Sequence, residues 1–148
     1  MNAFIYICFL LSGVTGLVYQ VLWGKYLQLF LGAGSYAHAV VLATFMGGLA
    51  LGNALFGRLA DRRIGKLALY AGLELGIGLS CLLFPVLFDA LSNLYLALAS
   101  PDPESLGNLA VKFIFSVLAM LLPTVLMGGT LPVLSKFVIR KMADVGHK

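Results

Sequence analysis

Charged residues are scarce in this sequence. Only 11% of its 148 residues are Asp, Glu, Lys or Arg, whereas 61% are hydrophobic and the mean hydropathy is +1.00. Soluble domains are about 45–50% apolar and about 25% charged. A chain this short leaves much of its surface outside any core, so a buried core does not account for the excess. The scarcity of charge therefore excludes an ordinary soluble domain and predicts an integral membrane protein.

The sequence also has few groups suited to catalysis or to redox chemistry. Its two cysteines, Cys8 and Cys81, lie in apolar runs at different predicted depths, so we interpret them as small hydrophobic residues and expect no disulfide. The patterns HExxH, CxxC and GxSxG do not occur, and no glycine-rich loop joins a strand to a helix. We predict no catalytic residues, no cofactor and no metal site in this chain.

The basic residues are gathered in two clusters. Eight of the ten Lys and Arg lie in residues 58–66 and 136–148, each at the end of an apolar run. Basic loop residues are retained on the cytoplasmic side of a membrane, so both clusters indicate cytoplasmic exits. This interpretation is preferred to nucleic-acid binding, although the net charge is +4. The prediction is a multi-pass protein of the cell (inner) membrane, in contact with lipids, with both termini cytoplasmic.

Four apolar runs are each long enough to cross a hydrocarbon core of about 30 Å. They predict an all-α fold, an integral membrane bundle of four transmembrane helices. The spans cover about residues 3–31, 36–57, 67–88 and 109–138. After Asp89, residues 90–99 have apolar side chains at helical spacing, which predicts a short interfacial helix between spans three and four. Residues 100–104 contain two prolines and predict a break before span four.

Glycines inside the apolar runs predict where helices pack closely. Gly48 and Gly52 in span two are four residues apart, and so are Gly72 and Gly76 in span three. Such small-xxx-small steps let two helix backbones approach one another in a membrane. We therefore predict helix contacts at both steps.

Glu74 is the most informative polar residue, because it lies inside span three. A charged residue at the centre of a membrane helix costs about 2.5–3.5 kcal/mol on insertion scales, so such residues are candidates for function. The functional interpretation is binding of a proton or cation, or gating. The structural interpretation is a polar link between spans two and three through Asn53, which lies at similar predicted depth. Both interpretations stay open.

Two further polar residues, Gln20 and His38, fall near the outer side of spans one and two. Their predicted depth indicates that they meet, and we expect a structural hydrogen bond or an interfacial position. One histidine is a poor argument for a metal, because a zinc site needs three or four ligands.

The first basic cluster contains an acid and forms the predicted cytoplasmic turn. Its members are Arg58, Asp61, Arg62, Arg63 and Lys66. Such a cluster can latch helix ends and control a conformational switch. The alternative is a solvated loop that sets topology, where exposed ion pairs contribute little. On the residues alone we favour the solvated loop.

Several blocks resemble the membrane portion of spermidine synthase-like proteins, which fuse a major-facilitator-like domain to a polyamine aminopropyltransferase domain. The blocks are residues 12–23 (SGVTGLVYQVLW), 45–52 (FMGGLALG) and 57–62 (GRLADR), and residues 122–132 fit the same family. The resemblance implies the membrane part of such a system. The aminopropyltransferase half, with its glycine-rich site, has no counterpart in these 148 residues.

Residues 57–66 are also similar to the major facilitator signature between its second and third helices. Ile64 stands where that signature has glycine, and Gly65 comes one position late. Gln20 stands at the position that resembles the family's usual acid. The first departure alters the loop at the glycine position of the signature. The second replaces the family's charged side chain with a neutral one.

Two functions remain from these observations. The first is a multi-pass interaction or anchor module, a subunit that associates with another membrane protein or with itself, including a spermidine synthase-like system. The second is a major-facilitator-like transporter subunit that moves a cation or polyamine and uses Glu74 and Asn53. We prefer the first, because four helices rarely enclose a path alone.

Overall fold

The computed structural model describes residues 2–32, 35–61, 65–98 and 106–146. They form four helices: α1 Asn2–Leu31, α2 Ser35–Asp61, α3 Lys66–Leu98 and α4 Leu106–Gly146. Each helix contains a stretch that is long and apolar enough to cross a membrane, with mean hydropathy between 1.6 and 2.2. Within the described residues, this confirms the predicted all-helical fold and the presence of four helices that are long and apolar enough to span a membrane.

The helices form because a chain in hydrocarbon must satisfy its backbone polar groups internally. The end of α1 has a local cause. Gly32 adopts a φ of 96°, and its N–H donates to the Gln28 carbonyl at 3.0 Å. Glycine tolerates this left-handed conformation without a Cβ penalty and is the usual residue just after a helix. α1 therefore ends at Leu31, where span one was predicted to end.

The predicted short helix at residues 90–99 is not a separate element, and this prediction is wrong in that respect. α3 continues through Asp89 to Leu98 without a break. Residues 89–98 contain no glycine or proline, and a polar residue such as Asp89 lowers helix propensity only slightly. The predicted break at residues 100–104 lies outside the described residues.

α4 is longer than predicted, since it starts at Leu106 and reaches Gly146. Pro123 and Pro132 lie inside it, and the helix continues through both. A proline removes one backbone hydrogen bond, and membrane helices tolerate this where other groups satisfy the freed carbonyl. The helix thus has the length to span a membrane in spite of two prolines.

Hydroxyl groups along α4 are satisfied by the helix itself. Each donates to a backbone carbonyl three or four residues earlier, which leaves no such donor directed at lipid. The donor–acceptor pairs are Ser116–Lys112, Thr124–Leu121, Thr130–Met127 and Ser135–Pro132, at 2.8 to 3.1 Å.

The chain divides into two compact units. Unit 1 combines Met1–Thr44 with Phe84–Met120. Its core is a row of aromatic rings from α1 and α3, with neighbouring centroids 5.3 to 6.0 Å apart. The rings are Trp23, Tyr26, Phe30, Phe84, Phe88 and Tyr95. Leu27 and Met120, both 0% exposed, complete a core that is filled by large side chains.

Unit 2 combines Phe45–Leu83 with Leu121–Lys148 and is packed in a different way. A Cβ atom added at Gly48 would lie 2.6 Å from the Thr124 Cβ, and one at Gly128 would lie 2.7 Å from the Leu49 Cα. Real Cβ atoms essentially never come that close. α2 and α4 are therefore in backbone contact within this unit, which only glycine permits.

Candidate functional site

An amphipathic groove lies between α1 and the start of α2, within unit 1. It has a volume of about 670 Å³ and is open on one side. α1 contributes Leu17, Gln20, Val21, Lys25 and Gln28 to its lining. α2 contributes His38, Val41 and Leu42. The structure thus places Gln20 and His38, which the sequence predicted to meet, in the lining of the same groove.

The hydrogen-bond partner of His38 is Gln28. The Gln28 amide nitrogen lies 3.0 Å from the His38 Nδ1 and 3.3 Å from its Nε2. An amide nitrogen only donates, so one ring nitrogen of His38 accepts from Gln28. Gln28 was missed in the sequence, although it stands eight residues after Gln20 and hence on a similar face of α1.

Lys25 supplies the formal charge in this groove. Its side chain is exposed, and no acidic residue stands beside it in the lining. The groove therefore combines one lysine and three further polar side chains with apolar walls. Such a site suits a molecule that carries a negative charge at one end and is apolar at the other.

The predicted charge cluster acquires a partner from α4. Within unit 2, the Lys136 ammonium donates to the Asp61 carboxylate at the end of α2, and to the Gly57 carbonyl at 2.6 Å. The negative end of a helix dipole also favours a cation at this place. Lys136 was missed as a partner, because 75 residues separate it from Asp61. We call this contact the Lys136 clamp.

The other members of the cluster are placed separately. Arg58 is exposed near the end of α2, and Lys66 begins α3. Arg62 and Arg63 lie outside the described residues.

Glu74 and Asn53, the predicted polar link, are not joined by a hydrogen bond. Glu74 is half-buried on α3, and Asn53 is exposed on α2. Within the described part of the chain, the Asn53 side chain makes no hydrogen bond. The Asn53 amide is thus an exposed polar group within an apolar helix.

The predicted packing glycines differ in how closely a neighbouring helix approaches them. Gly48 and Gly52 contact α4 closely, since a Cβ added at Gly52 would lie 3.0 Å from the Gly128 Cα. A Cβ added at Gly76 would lie 3.2 Å from the Leu126 side chain, and one at Gly72 would meet nothing within 4 Å. Gly128 completes the close contact from the α4 side and was not predicted.

An open face with small side chains surrounds Asn53. Gly47, Ala50 and Ala54 are exposed on α2, and their spacing of three and four residues places them on one side of the helix. A Cβ added at Gly47 would meet nothing within 4 Å. We call Gly47, Ala50, Asn53 and Ala54 the α2 face.

Comparison with known proteins adds no family to this description. The described residues contain no group of three or more His, Cys, Asp or Glu that is suited to hold a metal ion. The resemblance to spermidine synthase-like proteins stays a prediction from the sequence. No protein-family model, no curated protein and no solved structure matches this chain.

Proposed function

We propose that this chain is a multi-pass membrane interaction module, which associates through the α2 face with a helix of another membrane protein or of a second copy. The observation that carries the proposal is the exposed amide of Asn53. It lies inside the apolar stretch Ala37–Asp61, whose mean hydropathy is 1.8. The chain would thus be a subunit of a larger membrane complex.

The physical argument is the poor fit between an amide and lipid. Hydrocarbon offers no hydrogen-bond partner, so an amide surrounded by lipid chains is stabilised when it meets another polar group. Interhelical hydrogen bonds in membranes contribute about 0.6 kcal/mol on average and up to about 2 kcal/mol. A partner helix that offers a carbonyl or polar side chain would satisfy Asn53.

The small residues of the α2 face support close approach. Apolar helices in lipid gain nothing from the hydrophobic effect, so they associate through packing and hydrogen bonds. Gly47, Ala50 and Ala54 leave the α2 backbone accessible beside Asn53. A partner helix therefore meets small side chains next to the Asn53 amide.

The test is association in lipid, measured by energy transfer between donor- and acceptor-labelled copies and by mass spectrometry of co-purifying proteins. Asn53→Leu should weaken association about threefold to thirtyfold, the range that one such hydrogen bond supplies. Ala50→Leu should weaken it by steric block. Ala71→Leu, at an exposed alanine of α3, is the matched control and should leave association unchanged.

Both kinds of partner are accessible to this experiment. Energy transfer detects a second copy, and co-purification detects another protein, of which an aminopropyltransferase-like enzyme is the first to seek because of the sequence resemblance. A wild-type chain that stays monomeric in lipid and brings no protein with it contradicts the proposal.

The proposed location is the cell (inner) membrane with both termini in the cytoplasm. The support is the clustering of basic residues, together with the Lys136 clamp. That contact brings the end of α2 and the late part of α4 to the same level of unit 2, as two exits on one side of a membrane require.

The second candidate is a transporter subunit that moves a cation or polyamine. Its support is Glu74, an acid that is half-buried within the apolar α3. Glu74→Gln should then abolish proton-coupled or polyamine uptake into vesicles that contain the chain. Unchanged uptake removes this candidate and leaves the interaction module.

A further inference from the structure

We infer that the groove between α1 and α2 binds an anionic phospholipid, with the phosphate at Lys25, Gln28 and His38 and one acyl chain along α1. The inference goes beyond the proposed function and concerns another part of the chain, since the α2 face belongs to unit 2 and the groove to unit 1. It assigns a ligand to the groove of about 670 Å³ between α1 and α2.

The volume and the lining fit a headgroup. Ligand pockets measure about 300–1,000 Å³, and this groove measures about 670 Å³. Lys25 supplies a positive charge without an acidic residue in the lining. The Gln28 amide nitrogen lies within 3.0 to 3.3 Å of the His38 ring nitrogens, and the ring nitrogen that does not accept from it carries an N–H that can donate to a phosphate oxygen.

The positive charge of Lys25 argues against a polyamine as the occupant of the groove. A polyamine is a cation, and Lys25 would repel it while no carboxylate of the lining would attract it. A zwitterionic lipid carries its own cation next to its phosphate, so it gains less from Lys25. An anionic headgroup is therefore the best electrostatic match.

A second observation concerns the apolar face below the groove. Leu10, Val14, Leu17 and Val21 recur at spacings of four, three and four residues, so they share one face of α1. All four are more than half exposed, between 53% and 67%. The same face continues into the groove at Gly24 and Gln28.

The length of this face matches one lipid leaflet. The rise from Leu10 to Val21 is about 16 Å at about 1.5 Å per residue. Half of a hydrocarbon core of about 30 Å is nearly the same distance. A lipid with its phosphate at Lys25 thus lays one acyl chain along the whole face.

The test is lipid retention by the full-length chain. Wild-type protein is reconstituted with equal amounts of phosphatidylglycerol and phosphatidylcholine and washed with mild detergent, and the retained lipids are counted by mass spectrometry. Phosphatidylglycerol should be enriched about fivefold, the factor that one lysine near a headgroup contributes. Equal retention of the two lipids by the wild type overturns the inference.

Variants locate the site. Lys25→Gln should abolish the enrichment and Lys25→Arg should keep it. Lys112→Gln is the matched control, because it removes a lysine of the same unit that lies over the Tyr95 ring and outside the groove. Leu17→Ser should reduce retention of both lipids, because it interrupts the acyl face.

Other outcomes contradict the inference directly. An equal loss of enrichment in Lys112→Gln would show a diffuse charge effect rather than a site. Spermidine binding that rises when Lys25 is neutralised would assign the groove to a cation. If Lys25→Gln loses helicity by circular dichroism, Gln28→Leu replaces it, and unchanged enrichment in that variant overturns the placement of the phosphate.

Discussion

In unit 1, aromatic rings fill the space between the helices. In unit 2, glycines, which have no side chain, let the helix backbones approach one another. In unit 1, Trp23 contacts Phe84 with ring centroids 5.6 Å apart, and further rings continue the row. In unit 2, Gly48, Gly52 and Gly128 let backbone meet backbone. Both solutions serve helices in lipid, where dispersion contacts and not the exclusion of water hold the structure.

The two kinds of packing differ in how well they tolerate substitutions. A ring can be shortened and its neighbours can rearrange, so a defect in unit 1 leaves a cavity. A glycine in backbone contact can only be enlarged, and the backbone opposite cannot rotate away as a side chain can. Unit 2 is therefore expected to be the more sensitive of the two to small substitutions.

The largest effect is expected for Gly128→Ala. The new Cβ would lie 2.7 Å from the Leu49 Cα and 2.8 Å from its carbonyl carbon, so two helices must move apart. Overpacking costs about 1–3 kcal/mol and sometimes more, and we expect about 3 kcal/mol because the obstacle is backbone. The measurement is the free energy of unfolding in a detergent titration followed by circular dichroism.

The control for this variant is Gly72→Ala, in the same unit. A Cβ there meets nothing within 4 Å, and alanine is the better helix former by about 1 kcal/mol. This variant should keep or raise the free energy of unfolding. An equal loss in both variants would attribute the effect to glycine content and not to helix contact.

A smaller effect is expected for Trp23→Ala in unit 1. In soluble cores such a change costs about 3–5 kcal/mol. We expect about 2 kcal/mol here, because lipid replaces water as the alternative surroundings and only packing is lost. Circular dichroism is again the readout, since Trp23 is the single tryptophan and its fluorescence disappears with it.

Trp23→Phe separates ring stacking from volume. It keeps an aromatic ring against Phe84 and should cost less than half as much as Trp23→Ala. If Trp23→Ala destabilises the protein more than Gly128→Ala, the contrast between the two units is reversed.

The smallest effect is expected for Asp61→Asn, which neutralises one side of the Lys136 clamp. Asp61 is 69% exposed and Lys136 is 30% exposed, so solvent screens the pair. Exposed ion pairs contribute about 0.2–1 kcal/mol, and we expect a loss of about 1 kcal/mol at low salt, smaller at high salt. Arg58→Gln, a neighbouring change of charge, should alter stability less, and an equal loss there would show a general charge effect.

The fold was largely predictable, because length and hydropathy determine a membrane helix more directly than any other element. α1 was expected at residues 3–31 and is found at Asn2–Leu31. The extension of α3 beyond Asp89 was not predicted, since a polar residue was interpreted as a span end. Polarity limits the hydrophobic stretch, but it does not by itself end the helix.

The candidate site was less predictable, because spacing along a chain does not identify a partner on another helix. The steps at Gly48 and Gly72 have the same pattern, yet a Cβ at Gly48 would meet Thr124 and one at Gly72 would meet nothing. The orientation of each helix decides this, and it depends on the whole unit. Lys136 was missed as the partner of Asp61 for the same reason.

The backbone contact at Gly128 has a consequence for how this chain can vary. When two side chains touch, an enlargement on one helix can be offset by a reduction on the other, and the two positions then vary together. No residue is smaller than glycine, and a substitution at Leu49 does not remove the backbone atoms that the new Cβ would contact. A genetic screen should therefore recover second-site suppressors of Trp23→Ala among the rings of unit 1, and none at Leu49 for Gly128→Ala.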